Sequence, residues 1–144
     1  MHILSPPFRM NEADALSFAA DRGFGLLVAA DAEGPRGSHV PFVIQEDHRG
    51  PLVRLADGRR RFLLAVAGAD AYVSNDWYAS PDHVSTWLYE AVHLSGVATT
   101  RPLEDNRAHG DALLAASEAR LPKPPWALAS MEPVKRQAML DGIR

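Results

Sequence analysis

The chain has no cysteine among its 144 residues. Disulfides, thiolate metal sites and cysteine nucleophiles are therefore excluded, and the composition is compatible with a reducing compartment. Long hydrophobic runs are also lacking: no apolar stretch approaches the ~18 residues of a membrane span, and the segment from Met1 to Pro7 has neither the basic start nor the apolar run of a signal peptide. We therefore expect a cytoplasmic protein with no membrane segment.

A strong charge of either sign is lacking as well. The formal net charge is -3, and acidic and basic residues are spread over both halves. No basic stripe therefore indicates a nucleic-acid partner. The one basic run, Arg59 to Arg61, could grip a phosphate or form a solvated turn. No helix-turn-helix pattern with a basic recognition helix is visible, so direct DNA binding is only weakly supported.

The familiar catalytic signatures are missing too. There is no Gly-x-x-x-x-Gly-Lys phosphate loop, no Gly-x-Gly-x-x-Gly fingerprint and no Gly-x-Ser-x-Gly elbow. None of the six histidines forms the i, i+4 pair of a helical zinc site, so we predict no metal site. No side chain stands out as a catalytic acid or base, and the sequence leaves open whether the protein is an enzyme. A flavin is not excluded, because FMN can be held by a barrel without a Rossmann turn.

Local patterns predict a mixture of helices and strands. Capping by Asn11, apolar spacing and a final Gly23 predict a helix over 11–23. Two apolar runs around a Gly-Pro turn predict a hairpin, with Pro41 at an edge or a bulge. The run after Arg61 is apolar enough for a strand buried on both faces. The predicted ranges are strands at 24–30, 38–44, 61–67, 72–74 and 86–100, turns at 31–35 and 68–70, and helices from 103 to 120 and from Ser130, as the cap, to 144 with Pro133 in the first turn.

Aromatic residues are few but clustered. All three tyrosines and two of the three tryptophans lie between Tyr72 and Tyr89. Such rings can stack on a planar ligand, although strands favour aromatic residues anyway. Alternation along 86–100 puts Trp87, Tyr89 and His93 on one face, and neither face of that strand is purely polar. This two-sided character indicates a barrel wall that also meets a second subunit.

Three segments carry a resemblance to a known family: Ser38 to Phe42, Ala71 to Tyr78 and Val84 to His93. Together they resemble the PaiB family of FMN-binding negative transcriptional regulators, and the match covers nearly the whole chain. The resemblance implies a mainly β fold with flanking helices, a split β-barrel of the FMN-binding type that forms a homodimer with FMN in a cleft between the subunits. It implies a single domain over 1–144, with an N-terminal helix at about 11–23, the barrel at about 24–101 and C-terminal helices at about 103–144.

The chain departs from the family pattern in two places. The family carries a His-x-Ala-Arg-Ala-Asn-Pro strand ahead of the segment that begins at Leu52. In this chain only the proline of that motif is present, as Pro51 directly after Gly50. The family also continues past Gly142 and Ile143 into a further strand. A separation between the Gly50 carbonyl carbon and the Pro51 nitrogen far above the ~1.33 Å of a peptide bond would show that residues are omitted at this join.

The resemblance and the polar residues of the aromatic segments define a candidate FMN site. We expect one subunit to contribute Ser38, His39, Ser74 and Trp77 and its partner to contribute Thr86, Trp87, Tyr89 and His93. The leading hypothesis is an FMN-binding dimeric sensor or repressor whose effect on transcription is indirect or needs a partner. The alternatives are a flavin-dependent oxidoreductase and a haem-binding split-barrel protein with His93 or His39 as ligand.

Overall fold

The computed structural model describes residues 9–44, 60–80, 82–99 and 102–142. The join between Gly50 and Pro51, Arg59 and Ile143 lie outside the described residues. Four strands, β1 to β4, and three helices, α1 to α3, make up most of the described chain. The strands are Phe24–Asp31, Gly34–Pro41, Arg60–Val73 and Thr86–Ala98, and the helices are Glu12–Arg22, Asn106–Glu118 and Pro133–Asp141.

The strands form one antiparallel sheet in the order β2-β1-β3-β4. The expectation of a mainly β protein with flanking helices is therefore confirmed. Closure of this sheet into a split barrel and its pairing with a second copy remain predictions. Within the described residues, no helix combines the length and the apolar character that a membrane crossing needs.

The first helix forms where its cap and periodicity predict it. The side chain of Asn11 accepts a hydrogen bond from the Asp14 backbone N–H at 2.8 Å. Gly23 ends the helix in the left-handed region, with φ of 59°, and its N–H donates to the Ala19 carbonyl at 2.9 Å. Both ends are thus satisfied by local hydrogen bonds.

The hairpin forms with a shorter turn than predicted. Ala32 and Glu33 are the turn residues, and β2 begins at Gly34 instead of residue 38. It ends at Pro41, because the Phe42 N–H donates to the Gly23 carbonyl and the Phe42 side chain is buried in the core. The predicted strand at 38–44 was therefore wrong at both ends. β2 lies at an edge of the described sheet, where its prolines and glycines are tolerated, as expected for Pro41.

A β-bulge stands where a turn was predicted at 68–70. β3 is one strand of 14 residues. Ala67 pairs with Ala91 and Asp70 pairs with Tyr89, so three steps along β3 match two along β4. Gly68 lies at this irregularity. The glycine therefore marks an extra residue within a continuous strand, and the prediction of two strands separated by a turn was wrong.

The core lies on the face of the sheet that α1 covers. Leu27, Leu64, Val66 and Val92 are buried there against Ala19 of α1 and Phe42. The next residue along β3 behaves differently: Leu64 is 0 % exposed and Leu63 is 37 % exposed. Within the described residues of one copy, only one face of 61–67 is covered, so burial of its second face stays a prediction.

The C-terminal helices pack around Leu128 and Leu140, which are both buried. Buried Asn106 donates from Nδ2 to the Leu140 carbonyl at 3.2 Å. Glu132 caps α3 by accepting from the Val134 and Lys135 N–H groups, each at 3.0 Å, so the predicted cap at Ser130 was wrong. Pro133 occupies the first turn, as expected.

Arg120 links this C-terminal region to α1. Its guanidinium donates to the Ala20 carbonyl at 2.6 Å and to the Asp21 carbonyl. These carbonyls belong to the last turn of α1, where helix oxygens lack intrahelical partners and a cation is favourable. Arg120 therefore caps a helix about 100 residues earlier in the chain.

Candidate functional site

The register divides the sheet into two faces. Successive side chains of a strand point to opposite faces, and directly paired residues share a face. The buried residues of the core define the covered face. We call the other side the open face. Its members are Phe24, Leu26, Val28, Ala30, Pro35, Gly37, His39, Pro41, Arg61, Leu63, Ala65, Ala67, Asp70, Tyr72, Trp87, Tyr89, Ala91, His93, Ser95 and Val97.

One row of residues crosses the middle of the open face. His39 pairs with Leu26, Leu26 with Ala65, and Ala65 with His93, so the four residues form one row across all four strands. The row spans three strand spacings, about 14 Å. Both histidines are exposed, and the His39 ring stacks on Phe24 with centroids 6.0 Å apart. The next pair towards the bulge is Ala67 and Ala91, so small side chains lie beside the row on that side.

One end of the open face is aromatic. The rings of the paired residues Tyr72 and Trp87 lie edge to face, with centroids 5.9 Å apart and planes at 61°. Tyr72 is 50 %, Trp87 58 % and Tyr89 60 % exposed. Such rings offer exposed apolar faces on which a planar ligand can stack and polar tips that can hydrogen-bond its rim. This end of the face is therefore suited to a planar heterocycle.

The loop after β3 holds itself together through hydroxyl groups. Ser74 Oγ accepts from the Asp76 N–H at 3.2 Å, and Ser85 Oγ accepts from the Asn75 N–H at 2.9 Å. The rings of Tyr78 and His83 are 4.5 Å apart. Ser74 thus has a structural task as the cap of the short 3-10 helix Asn75–Trp77, and Trp77 projects from that helix into solvent.

The eight residues predicted for the site occupy three different places. His39, Trp87, Tyr89 and His93 lie on the open face, whereas Ser38 and Thr86 point to the opposite side of the sheet. Ser74 and Trp77 belong to the loop. Tyr72 was not among the predicted residues, although the structure pairs it with Trp87. The sequence signal for it was the aromatic cluster itself, but the bulge that decides its face was not foreseen.

The open face carries little charge. Arg61 lies at one end of β3 and Asp70 beyond the bulge, and neither makes an ion pair within the described residues. In the parts of the chain that the structure describes, no group of three or more histidine, aspartate or glutamate side chains could hold a metal ion. Apolar side chains therefore make up most of the open face.

Three side chains with shifted pKa values lie away from the open face, in the C-terminal region. Burial lowers the pKa of His109, whose Nδ1 is buried with no hydrogen-bond partner in the described structure. A hydrogen bond from Lys123, and a second from the Trp126 N–H, lower the pKa of the Glu118 carboxyl. The backbone N–H groups of Val134 and Lys135 lower the pKa of the Glu132 carboxyl. These three groups serve the packing and capping of helices.

The ring half of FMN fits the aromatic end of the open face. Three half-exposed rings stand there without any described element over them. Arg61, the arginine of this face, lies at the other end of β3. A single copy therefore offers the isoalloxazine a surface at one end and the phosphate a cation at the other, too far apart on one strand for one FMN molecule.

Comparison with known proteins identifies the family. A family model described as "Putative FMN-binding domain" matches residues 1–144. The chain belongs to this PaiB-type FMN-binding domain family. The predicted resemblance is thereby confirmed.

One curated relative is "Protease synthase and sporulation protein PAI 2" of Bacillus subtilis (strain 168). It is 30% identical over 104 residues, which cover 64% of this chain and 50% of the relative. The chain thus matches about half the length of that protein.

Proposed function

We propose that this protein binds FMN as a homodimer, with the open faces of two copies packed together and the flavin ring held at the aromatic end. The family supports FMN as the ligand. The observation that carries the proposal is the open face itself, an apolar sheet surface that no described element covers and that ends in three half-exposed aromatic rings.

A second copy is the occupant that this surface fits best. Monomeric proteins rarely expose contiguous apolar patches of more than a few hundred Å². A two-fold dimer pairs the same patch on both subunits, and a standard interface takes about 20–30 residues from each. The open face contributes the 20 residues named above, and two sheets packed face to face lie about 10 Å apart.

The charges of the open face suit a two-fold arrangement. Arg61 and Asp70 lie on β3 at nearly equal distances from Ala65, which belongs to the central row. If β3 crosses its copy antiparallel near Ala65, Arg61 of each subunit faces Asp70 of the other. The same arrangement brings an arginine from the second copy towards the aromatic end, where the FMN phosphate needs a cation.

FMN bound in this way supplies redox chemistry and a coloured ring system. The chain's own residues cover the ring, exclude water from it and hold its polar rim. No specific observation on the described residues favours an oxidoreductase or a haem protein over an FMN-binding sensor. We therefore propose a cytoplasmic sensor of the PaiB regulator type, with any effect on transcription exerted indirectly or through a partner.

The proposal is tested by the purified protein alone. We expect a flavin absorption spectrum after expression or after FMN addition, and we expect the molecular mass of a dimer. A monomer at micromolar concentration, or a protein that takes up no FMN, would overturn it. Riboflavin is the matched control ligand, because it keeps the ring but lacks the phosphate.

A further inference from the structure

The bulge in β3 determines which side chains reach the aromatic end. Up to Ala67, odd-numbered residues of β3 lie on the open face. The extra residue at Gly68 and Ala69 reverses this alternation, so Asp70 and Tyr72 are the ones on the open face beyond it. In a regular strand, Tyr72 would point to the covered side.

The bulge is fixed by close packing on glycine. A Cβ on Gly68 would lie 2.7 Å from the Phe18 ring of α1 and 2.8 Å from Cβ of Glu90 on β4. Cβ atoms are essentially never found this close to other heavy atoms, so a side chain at position 68 would require Phe18 and Glu90 to shift. Glycine therefore lets the strand, α1 and β4 meet at this point.

We propose that Tyr72 and Trp87 together form the surface on which the isoalloxazine ring of FMN lies, and that the Gly68 bulge is the feature that puts Tyr72 there. This inference rests on the proposed function and names a residue of its site. Tyr72 is then a ligand-contacting residue, and Gly68 is a positioning residue.

The space over these rings suits the flavin ring better than it suits the sheet of the partner subunit. Tyr72, Trp87 and Tyr89 project further than the neighbouring pair Ala67 and Ala91, so two packed sheets are held further apart at the aromatic end. Such a gap, walled by exposed rings, suits a flat ring that makes carbon contacts at about 3.5–4.0 Å. The edge-to-face geometry of Tyr72 and Trp87 leaves both rings with free area for that contact.

Tyr72 itself is tested by FMN affinity. The Tyr72→Leu and Trp87→Leu variants remove one ring each, and we expect each to weaken FMN binding about tenfold or more, since stacking on one aromatic ring commonly accounts for this much. Tyr72→Phe, which keeps the ring, should stay within about threefold of the wild type. Tyr78→Leu is the matched control in the neighbouring loop and should bind as the wild type does.

The bulge is tested by removing it. Deletion of Ala69 restores regular pairing and turns Tyr72 away from Trp87, so we expect the loss of FMN affinity seen for Tyr72→Leu and a change in the near-ultraviolet circular dichroism of the ring pair. A folded deletion variant with wild-type affinity would overturn the role of the bulge. If that variant does not fold, the surface variants at position 72 still decide the role of Tyr72.

Three results would contradict the inference in distinguishable ways. Wild-type FMN affinity in both leucine variants would overturn this inference and leave the proposed function intact. Affinity that is lost in Tyr72→Leu but returns at protein concentrations that restore the dimer would show that Tyr72 contacts the partner instead of the flavin. A wild-type protein that binds no FMN would overturn the proposed function and this inference together.

Discussion

The two faces of the sheet put similar side chains to different use. On the covered face, Leu64 and Val66 are buried against α1, whereas on the open face their neighbours Leu63 and Ala67 are accessible to solvent. Both faces are apolar at these positions. The covered face therefore stabilises the fold of one copy, and the open face leaves apolar area exposed, which the proposed function assigns to association and ligand binding.

This difference also explains why the strand sequences are apolar on both sides. A sheet with one solvated face usually alternates apolar and polar residues. β3 does not, and its open-face residues Leu63, Ala65 and Ala67 are as apolar as those facing the core. The pattern is what a strand needs when its second face is covered by another molecule.

The largest expected effect comes from neighbouring leucines on β3. Leu64→Ala should lower the free energy of unfolding by about 2–5 kcal/mol, because it leaves a cavity in the core. Leu63→Ala is the matched control on the open face and should cost the isolated subunit less than about 1 kcal/mol. Urea unfolding of flavin-free protein at low concentration measures both. Equal losses would contradict the division into two faces.

A charge reversal tests the open face as a dimer interface. Arg61→Glu should weaken dimerisation on the order of tenfold, because it places two acidic residues opposite each other in the proposed arrangement. The double variant Arg61→Glu with Asp70→Arg should restore most of the affinity. Sedimentation at low and moderate salt measures the dissociation constants. If the double variant is weaker than the single variant, the antiparallel crossing near Ala65 is wrong.

A smaller effect is expected at the link between α1 and the C-terminal helices. Arg120→Ala removes the donors to the Ala20 and Asp21 carbonyls and should lower the free energy of unfolding by about 1 kcal/mol, with no change in FMN affinity. Arg107→Ala is the control, because the 3.9 Å ion pair between Arg107 and Asp111 is exposed. This variant should lower the free energy of unfolding by less than about 0.5 kcal/mol. Identical unfolding midpoints for the two variants would contradict the capping role assigned to Arg120.

The smallest expected effect is a pH dependence at His109. Burial lowers the pKa of this imidazole in the fold, so the folded state disfavours its protonation. Its contribution to stability is complete above the ordinary histidine pKa of about 6.5 and is lost as the pH falls through and below that value. His109→Leu should flatten the decline of the urea midpoint between about pH 7.5 and 5. An unchanged slope would contradict the assignment.

The sequence predicted the elements whose signals are local. Asn11 and Gly23 mark the ends of α1 through side-chain and backbone chemistry that acts within one turn. Pro133 likewise marks the start of α3. The cap at Glu132 was missed because serine, which stands two residues earlier at Ser130, is the commoner cap type. The turn of the hairpin was misplaced because glycine and proline on an edge strand resemble a loop.

The features that position the site depend on contacts distant in sequence. The bulge at Gly68 exists because Phe18 and Glu90 pack against it, and neither residue is near it in the chain. For this reason Tyr72 could not be placed beside Trp87 in advance. Ser38 and Thr86, in contrast, are adjacent to His39 and Trp87 on their strands, and alternation alone puts them on the other face.

The central claim is that two copies enclose FMN between their open faces, and the most direct test is the mass of the flavin-loaded protein in solution. Sedimentation monitored at the flavin absorption band should show the colour moving with a dimer, and Ala65→Arg, at the centre of the open face, should abolish both the dimer and the bound flavin. Flavin that sediments with a monomer, or an Ala65→Arg variant that remains a flavin-loaded dimer, would contradict the account.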